Sequence, residues 1–132
     1  MGGTDRELAD GAKVAVRARF AGLEGYLLSK CVAARTRAAT KDYYDLVYVL
    51  QHNRAGGPEK AAHRLLNGEF AADLNLLRTT FLEVRERYVG TADSGPAGYA
   101  KQALEVQPEF GEMELRADAV DVVQRFFAEL DA

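Results

Sequence analysis

The sequence predicts an α-dominant α+β domain, with five or six helices and one or two short strands. Apolar residues return every three or four positions along most of the chain. Period-2 alternation is confined to two short stretches, and Gly- and Pro-rich punctuation falls between the periodic segments. A length of 132 residues fits one domain. It is read as a disordered N-terminus over 1–11 and a single mostly helical domain over 12–132.

The first strand is expected over 14–20, where Val14, Val16, Ala18 and Phe20 alternate with Ala15, Arg17 and Arg19. An open edge there could pair with a partner chain or with itself. The period then lengthens. Leu27, Cys31 and Ala34 form one stripe, flanked by Leu28 and Val32, and predict a helix from Leu23 to about Ala39. Thr40 is the expected N-cap of the next helix, with Asp42 in its first turn, where the helix dipole favours a carboxylate. Its apolar face is Tyr43, Leu46, Val47 and Leu50. Asn53 to Pro58 is a loop, and Pro58 opens a third helix that ends near Asn67-Gly68. Leu74, Leu77, Phe81, Val84 and Tyr88 step by 3, 4, 3 and 4, which predicts one long helix over 69–89.

Residues 90–111 hold four glycines and two prolines, so a long loop with one short helix near Ala97 to Leu104 is expected. A second strand is expected over Glu112 to Arg116, with Met113 and Leu115 on one side. The last helix, Ala117 to Leu130, would bury Val120, Val123, Phe127 and Leu130.

Charge and composition narrow the function. The net charge is −3 with both signs interleaved, which argues against nucleic-acid binding by bulk charge but leaves room for a local basic patch. Cys31 is the only cysteine, so the chain offers neither an internal disulfide nor a zinc framework. The polar N-terminal residues are not those of a signal peptide, and no apolar run reaches transmembrane length. A cytoplasmic protein without membrane contact is the expectation.

One segment concentrates charge. It runs Lys30-Cys31-Val32-Ala33-Ala34-Arg35-Thr36-Arg37-Ala38-Ala39-Thr40-Lys41-Asp42-Tyr43-Tyr44-Asp45-Leu46. On a continuous helix with Lys30 at zero, Arg37 falls near about −20°, Lys41 near about +20° and Asp45 near about +60°. If the chain turns at Thr40, two helices could still meet around that face. Three neighbouring cations repel unless an anion sits among them. Asp42 and Asp45 could supply it internally, as an ion-pair cluster. A triphosphate could also supply it, because Lys and Arg hold phosphate by charge and by forked hydrogen bonds.

The spacing of Lys30, Arg37, Lys41-Asp42 and Asp45-Leu46 resembles the signature in the C-terminal half of AbiEii/AbiGii-type nucleotidyltransferases. Lys41 stands where that family usually has Arg. Ala33, Ala34 and Tyr43-Tyr44 also fit, and a looser resemblance runs from about residue 12 to 130. The resemblance implies a polymerase-β-like nucleotidyltransferase of a bacterial toxin–antitoxin or abortive-infection system, working on a nucleoside triphosphate with Mg2+. The acceptor would be a tRNA or a protein, and an antitoxin would be a partner. It implies nucleotide-binding roles for Lys30, Arg37 and Lys41. It implies orienting or proton-transfer roles for Asp42 and Asp45, which would be the catalytic residues.

The sequence departs from that family where metal chemistry begins. Such enzymes carry Gly-Ser and then, roughly a dozen residues on, Asp-x-Asp or Asp-x-Glu, whose paired carboxylates hold two Mg2+ ions. Here Gly2-Gly3 is followed by Lys13-Val14-Ala15, and Glu112-Met113-Glu114 lies at the wrong end. No metal ligand is assigned, and the chain alone is not expected to transfer nucleotides. It reads as a fragment of a longer enzyme, as half of a pair with a separate catalytic chain, or as a catalytically dead interaction or regulatory module. An unrelated small helical binding domain is the remaining reading. The other reactive side chains point elsewhere. His52 and His63 lack further ligands at metal spacing, Cys31 lies on a core stripe, and Ser29 and Ser94 lack a nucleophile elbow. Tyr99 is a candidate to stack on a base.

Overall fold

The structure, a computed structural model, describes residues 22–131. The strand expected at 14–20 and the expected disorder over 1–11 lie outside these residues. The described chain is predominantly helical: α1 (Gly22–Thr36), α2 (Thr40–Gln51), α3 (Pro58–Asn67), a 3-10 helix (Ala71–Leu77), α4 (Arg78–Glu86), α5 (Ser94–Val106) and α6 (Glu112–Asp131). None of these helices is long and apolar enough to cross a membrane.

α1 buries Leu27, Leu28, Cys31 and Ala34, the stripe its periodicity announces. Arg37 and Ala38 both return backbone hydrogen bonds to the Ala33 carbonyl, which closes the helix. Ala38 then takes the left-handed conformation, with φ 53°. That region usually holds glycine at a helix end and costs a side-chain-bearing residue about 1 kcal/mol. The N-cap of α2 is Ala39, not Thr40, which is already helical. Alanine has no side-chain acceptor, so the helix start is tied from the other side. Asp42 reaches back to accept the Ala39 N–H at 3.0 Å, the return half of a capping box.

Asn53 organises the loop before α3, donating to the Leu50 and Gly57 carbonyls and accepting from the Gly56 N–H. The expected single helix over 69–89 is broken in two. Its first half winds as a 3-10 helix, where Asp73 and Asn75 have short polar side chains that compete with α-helical bonding. Its last turn stops at Glu86. The Arg87 carbonyl is taken by the Gly95 N–H at 2.9 Å, and the Tyr88 hydroxyl is drawn inward to donate to the Tyr43 carbonyl at 3.0 Å.

α5 starts at Ser94, three residues before its expected position, and lies closely against α2. Gly98 permits this approach, because a Cβ there would sit 2.7 Å from Tyr43 Cδ2. The strand expected at 112–116 is the first turn of α6. Leu115 is buried and continues the stripe through Ala119, Val122, Val123, Phe126, Phe127 and Leu130, whereas Met113 is 61 % exposed. Two residues apart, these side chains would share a strand face. On a helix they point about 200° apart, and only the helix lets the apolar stripe run unbroken. α6 packs on both α3 and α5, with its Phe126–Phe127 edge contact in the core.

Candidate functional site

The charged motif straddles the α1–α2 turn. Lys30 leaves α1 and reaches across to α2, where its Nζ lies 2.9 Å from Asp45 Oδ2. Both side chains are mostly covered, with 20 % and 16 % exposure. Lys30 also lies over the Tyr26 ring, 5.0 Å from its centroid. Arg37 donates from Nη2 to Asp42 Oδ1 at 2.6 Å. The two partners differ sharply, since the Arg37 side chain is 69 % exposed and that of Asp42 only 4 %. Lys41 is exposed and makes no ion pair among the described residues. It lies four residues before Asp45, so the two occupy one face of α2.

The five motif residues are therefore brought to one region, in unequal roles. Asp42 is a structural carboxylate that ties Arg37 and the Ala39 amide together at the start of α2. Asp45 neutralises Lys30. Arg37 and Lys41 face solvent at the amino end of α2, where the first amides of any helix lack intrahelical acceptors. Lys30, Arg37 and Lys41 line none of the four cavities described.

Two arginines absent from the motif spacing complete the turn's support. Arg35 is nearly covered, donating to Glu83 at 2.6 Å and to the buried Thr80 hydroxyl at 3.1 Å. Arg87 donates to the Ala34 and Arg35 carbonyls at 2.7 and 3.1 Å, capping the carboxyl end of α1 with positive charge. Arg35 stands inside the motif segment, but its partners lie 45 and 48 residues away, beyond the reach of local spacing.

The donor set for a paired Mg2+ centre does not fit the described residues. No three His, Cys, Asp or Glu side chains gather there as a metal site. Asp42 and Asp45 each hold a cation of the protein. No metal step is assigned to these side chains. Cys31 is fully buried, and burial pushes its thiol up to about 12, far from the thiolate a nucleophile needs. His63 pairs with Glu129 at 2.5 Å on an exposed helix face.

Between α2, α5 and α6 lies a groove of about 610 Å³. Tyr48, Tyr44 and Tyr99 form a row of near-parallel rings along it, with centroids 5.7 and 5.6 Å apart and planes within 26° and 17°. His52 continues the row 4.8 Å from Tyr48. The Tyr99 hydroxyl meets Gln51 at 3.4 Å, and burial raises its pKa above the ordinary phenol value. Sequence periodicity assigns Tyr43 to the core but gives no sign that Tyr44, Tyr48 and Tyr99 would stack. Comparison with protein-family models, curated proteins and solved structures finds no match to this chain.

Proposed function

We propose that the chain is the nucleotide-binding helical portion of an AbiEii-like nucleotidyltransferase, receiving phosphate at the α1–α2 turn. The observation that carries this reading is the placement of Arg37 and Lys41, both exposed, at the amino end of α2. A helix amino end carries partial positive charge, so two further cations there are electrostatically unfavourable without an anion. Asp42 offsets only part of that charge, and from a buried position. A polyphosphate would supply the rest, taking forked hydrogen bonds from the free Arg37 nitrogens, charge from Lys41 and the unpartnered amides of the first turn. Lys30 of α1 is held by Asp45, one turn along α2, and would bound the far end of the phosphate chain. The left-handed Ala38 supports the reading, since local backbone strain concentrates at binding turns. Metal ions and the attacking group would come from a separate catalytic part.

Calorimetry with a nucleoside triphosphate and Mg2+ tests this directly. Binding that weakens by about tenfold in each of Arg37→Ala and Lys41→Ala is the expected result, on the scale of a lost charge-assisted contact. A second reading is favoured by the Lys30–Asp45 and Arg37–Asp42 pairs: an interaction module in which the motif is an internal ion-pair network. On that reading the triphosphate does not bind, or binds equally well to both variants, and either outcome overturns the first proposal.

A further inference from the structure

The aromatic groove between α2, α5 and α6 is chemically opposite to the α1–α2 turn. Its lining combines the row of Tyr44, Tyr48 and Tyr99 with Phe110 and two carboxylates, Glu114 and Asp118, and contains no lysine or arginine. Glu114 and Asp118 lie four apart on α6, where like charges repel and destabilise a helix. Neither makes an ion pair among the described residues, although the other acidic side chains of α6 do: Glu112 pairs with Arg116, Asp121 with Arg125, Glu129 with His63 and Asp131 with Arg85. Glu114 and Asp118 line the same groove as Tyr44, Tyr48 and Tyr99, so the carboxylates flank the ring row.

Tyr99 is buried, but the outer rings are open. Tyr48 is 51 % and Phe110 48 % exposed, and Val106 beside them is also exposed. Apolar area of this kind, collected in a groove of binding-site size, marks a contact surface more than scattered exposure would.

We propose that this groove receives an arginine side chain from a basic segment of a protein partner. Charge complementarity selects a cation, since two carboxylates face the groove and neither lysine nor arginine lines it. The rings select a flat cation, because a guanidinium stacks on a tyrosine face and still extends its N–H fork to carboxylates. An ammonium is compact and strongly hydrated, and it gains less from a row of parallel rings. The same carboxylates repel a phosphate backbone, so a nucleic-acid strand stacking its bases on the tyrosines is disfavoured here. This inference stands independently of nucleotide binding at the α1–α2 turn, since none of Lys30, Arg37 and Lys41 lines the groove.

The test is titration of the full chain with a short peptide of alternating arginine and glycine. Controls are a lysine–glycine peptide of equal charge and a single-stranded oligonucleotide. Aromatic-ring NMR shifts and tyrosine emission report the site, because the chain has six tyrosines and no tryptophan. The expected result is saturable binding of the arginine peptide, with shifts at Tyr44, Tyr48 and Tyr99. Binding of the lysine peptide should be weaker by about tenfold. Both Tyr48→Ala and the double variant Glu114→Gln/Asp118→Asn should weaken arginine-peptide binding by about tenfold or more while the chain still unfolds in one cooperative thermal transition, since all three side chains are exposed. Absence of saturable binding would overturn the proposal. So would equal binding by the variants, equal binding of the lysine peptide, or preferential binding of the oligonucleotide.

Discussion

Asp42 and Arg37 form one ion pair, yet their removal should have very different consequences. Asp42 is 2 % exposed and accepts two hydrogen bonds, from Arg37 Nη2 at 2.6 Å and from the Ala39 N–H at 3.0 Å. Asp42→Ala removes the acceptor from the Ala39 amide, a charge-assisted bond that contributes about 1.5–3 kcal/mol. It also removes a negative charge from the first turn of α2, where the helix dipole makes it stabilising by about 0.3–1 kcal/mol. The expected cost is therefore about 2–4 kcal/mol. Arg37→Ala removes a cation that is 69 % exposed and leaves the buried Asp42 carboxylate with the Ala39 amide, for a cost of about 1 kcal/mol. Urea denaturation of both single variants and the double variant gives the values and their coupling, which should stay below about 1 kcal/mol. The thermal midpoint should follow at about 3–5 °C per kcal/mol for a chain this size. Asp42→Asn keeps an acceptor for the Ala39 amide and should fall between wild type and Asp42→Ala. If Arg37→Ala costs as much as Asp42→Ala, the division of the motif into a buried structural carboxylate and a free cation is wrong. Arg37 would then have no capacity to spare for a phosphate.

Two further results are expected from the same geometry. Gly95→Ala should destabilise by about 1–3 kcal/mol by equilibrium unfolding, because the added Cβ would lie 2.6 Å from the Arg87 carbonyl oxygen and 2.7 Å from the Tyr88 ring. A neutral or stabilising change would mean that the junction between α4 and α5 can relax. Cys31 should resist thiol reagents in the native state and react only on unfolding. Its folded pKa, raised to about 12, lies above the unfolded value, so the native state keeps a proton that the unfolded chain releases. The stability it contributes is fully present below the ordinary thiol range. That contribution declines as pH rises from about 9 toward 12, by up to ~1.4 kcal/mol per pH unit. Tyr44, Tyr88 and Tyr99, also raised by burial, add to the alkaline loss above the ordinary phenol range. In a denaturation series, Cys31→Ala should lower the slope of stability against pH between 9 and 11, and an unchanged slope would exclude the thiol as its source.

The sequence by itself determined the helices whose apolar stripes are local. Leu27, Cys31 and Ala34 in α1 and Tyr43, Leu46, Val47 and Leu50 in α2 are legible because their 3.6-residue period is set by backbone geometry alone. The charged motif was legible for a similar reason. Fixed spacing on two consecutive helices brings Lys30 and Asp45 together once the chain turns between them. What the sequence could not decide was where a helix stops when the competing partner is distant. Only tertiary contact ends α4 at Glu86, because the Gly95 amide and the Tyr43 carbonyl that claim its last residues arrive from other elements. The same holds for residues 112–116. Four or five residues are too few to distinguish alternation from helical period, and the fit of Leu115 into the stripe that α6 buries settles the choice. Likewise, the inequality of Arg37 and Asp42, the cover of Arg35 by Thr80 and Glu83, and the stack of Tyr44 on Tyr99 depend on which faces are buried against which. Burial is a property of the packed molecule, and periodicity along one segment carries no information about the segment it will meet.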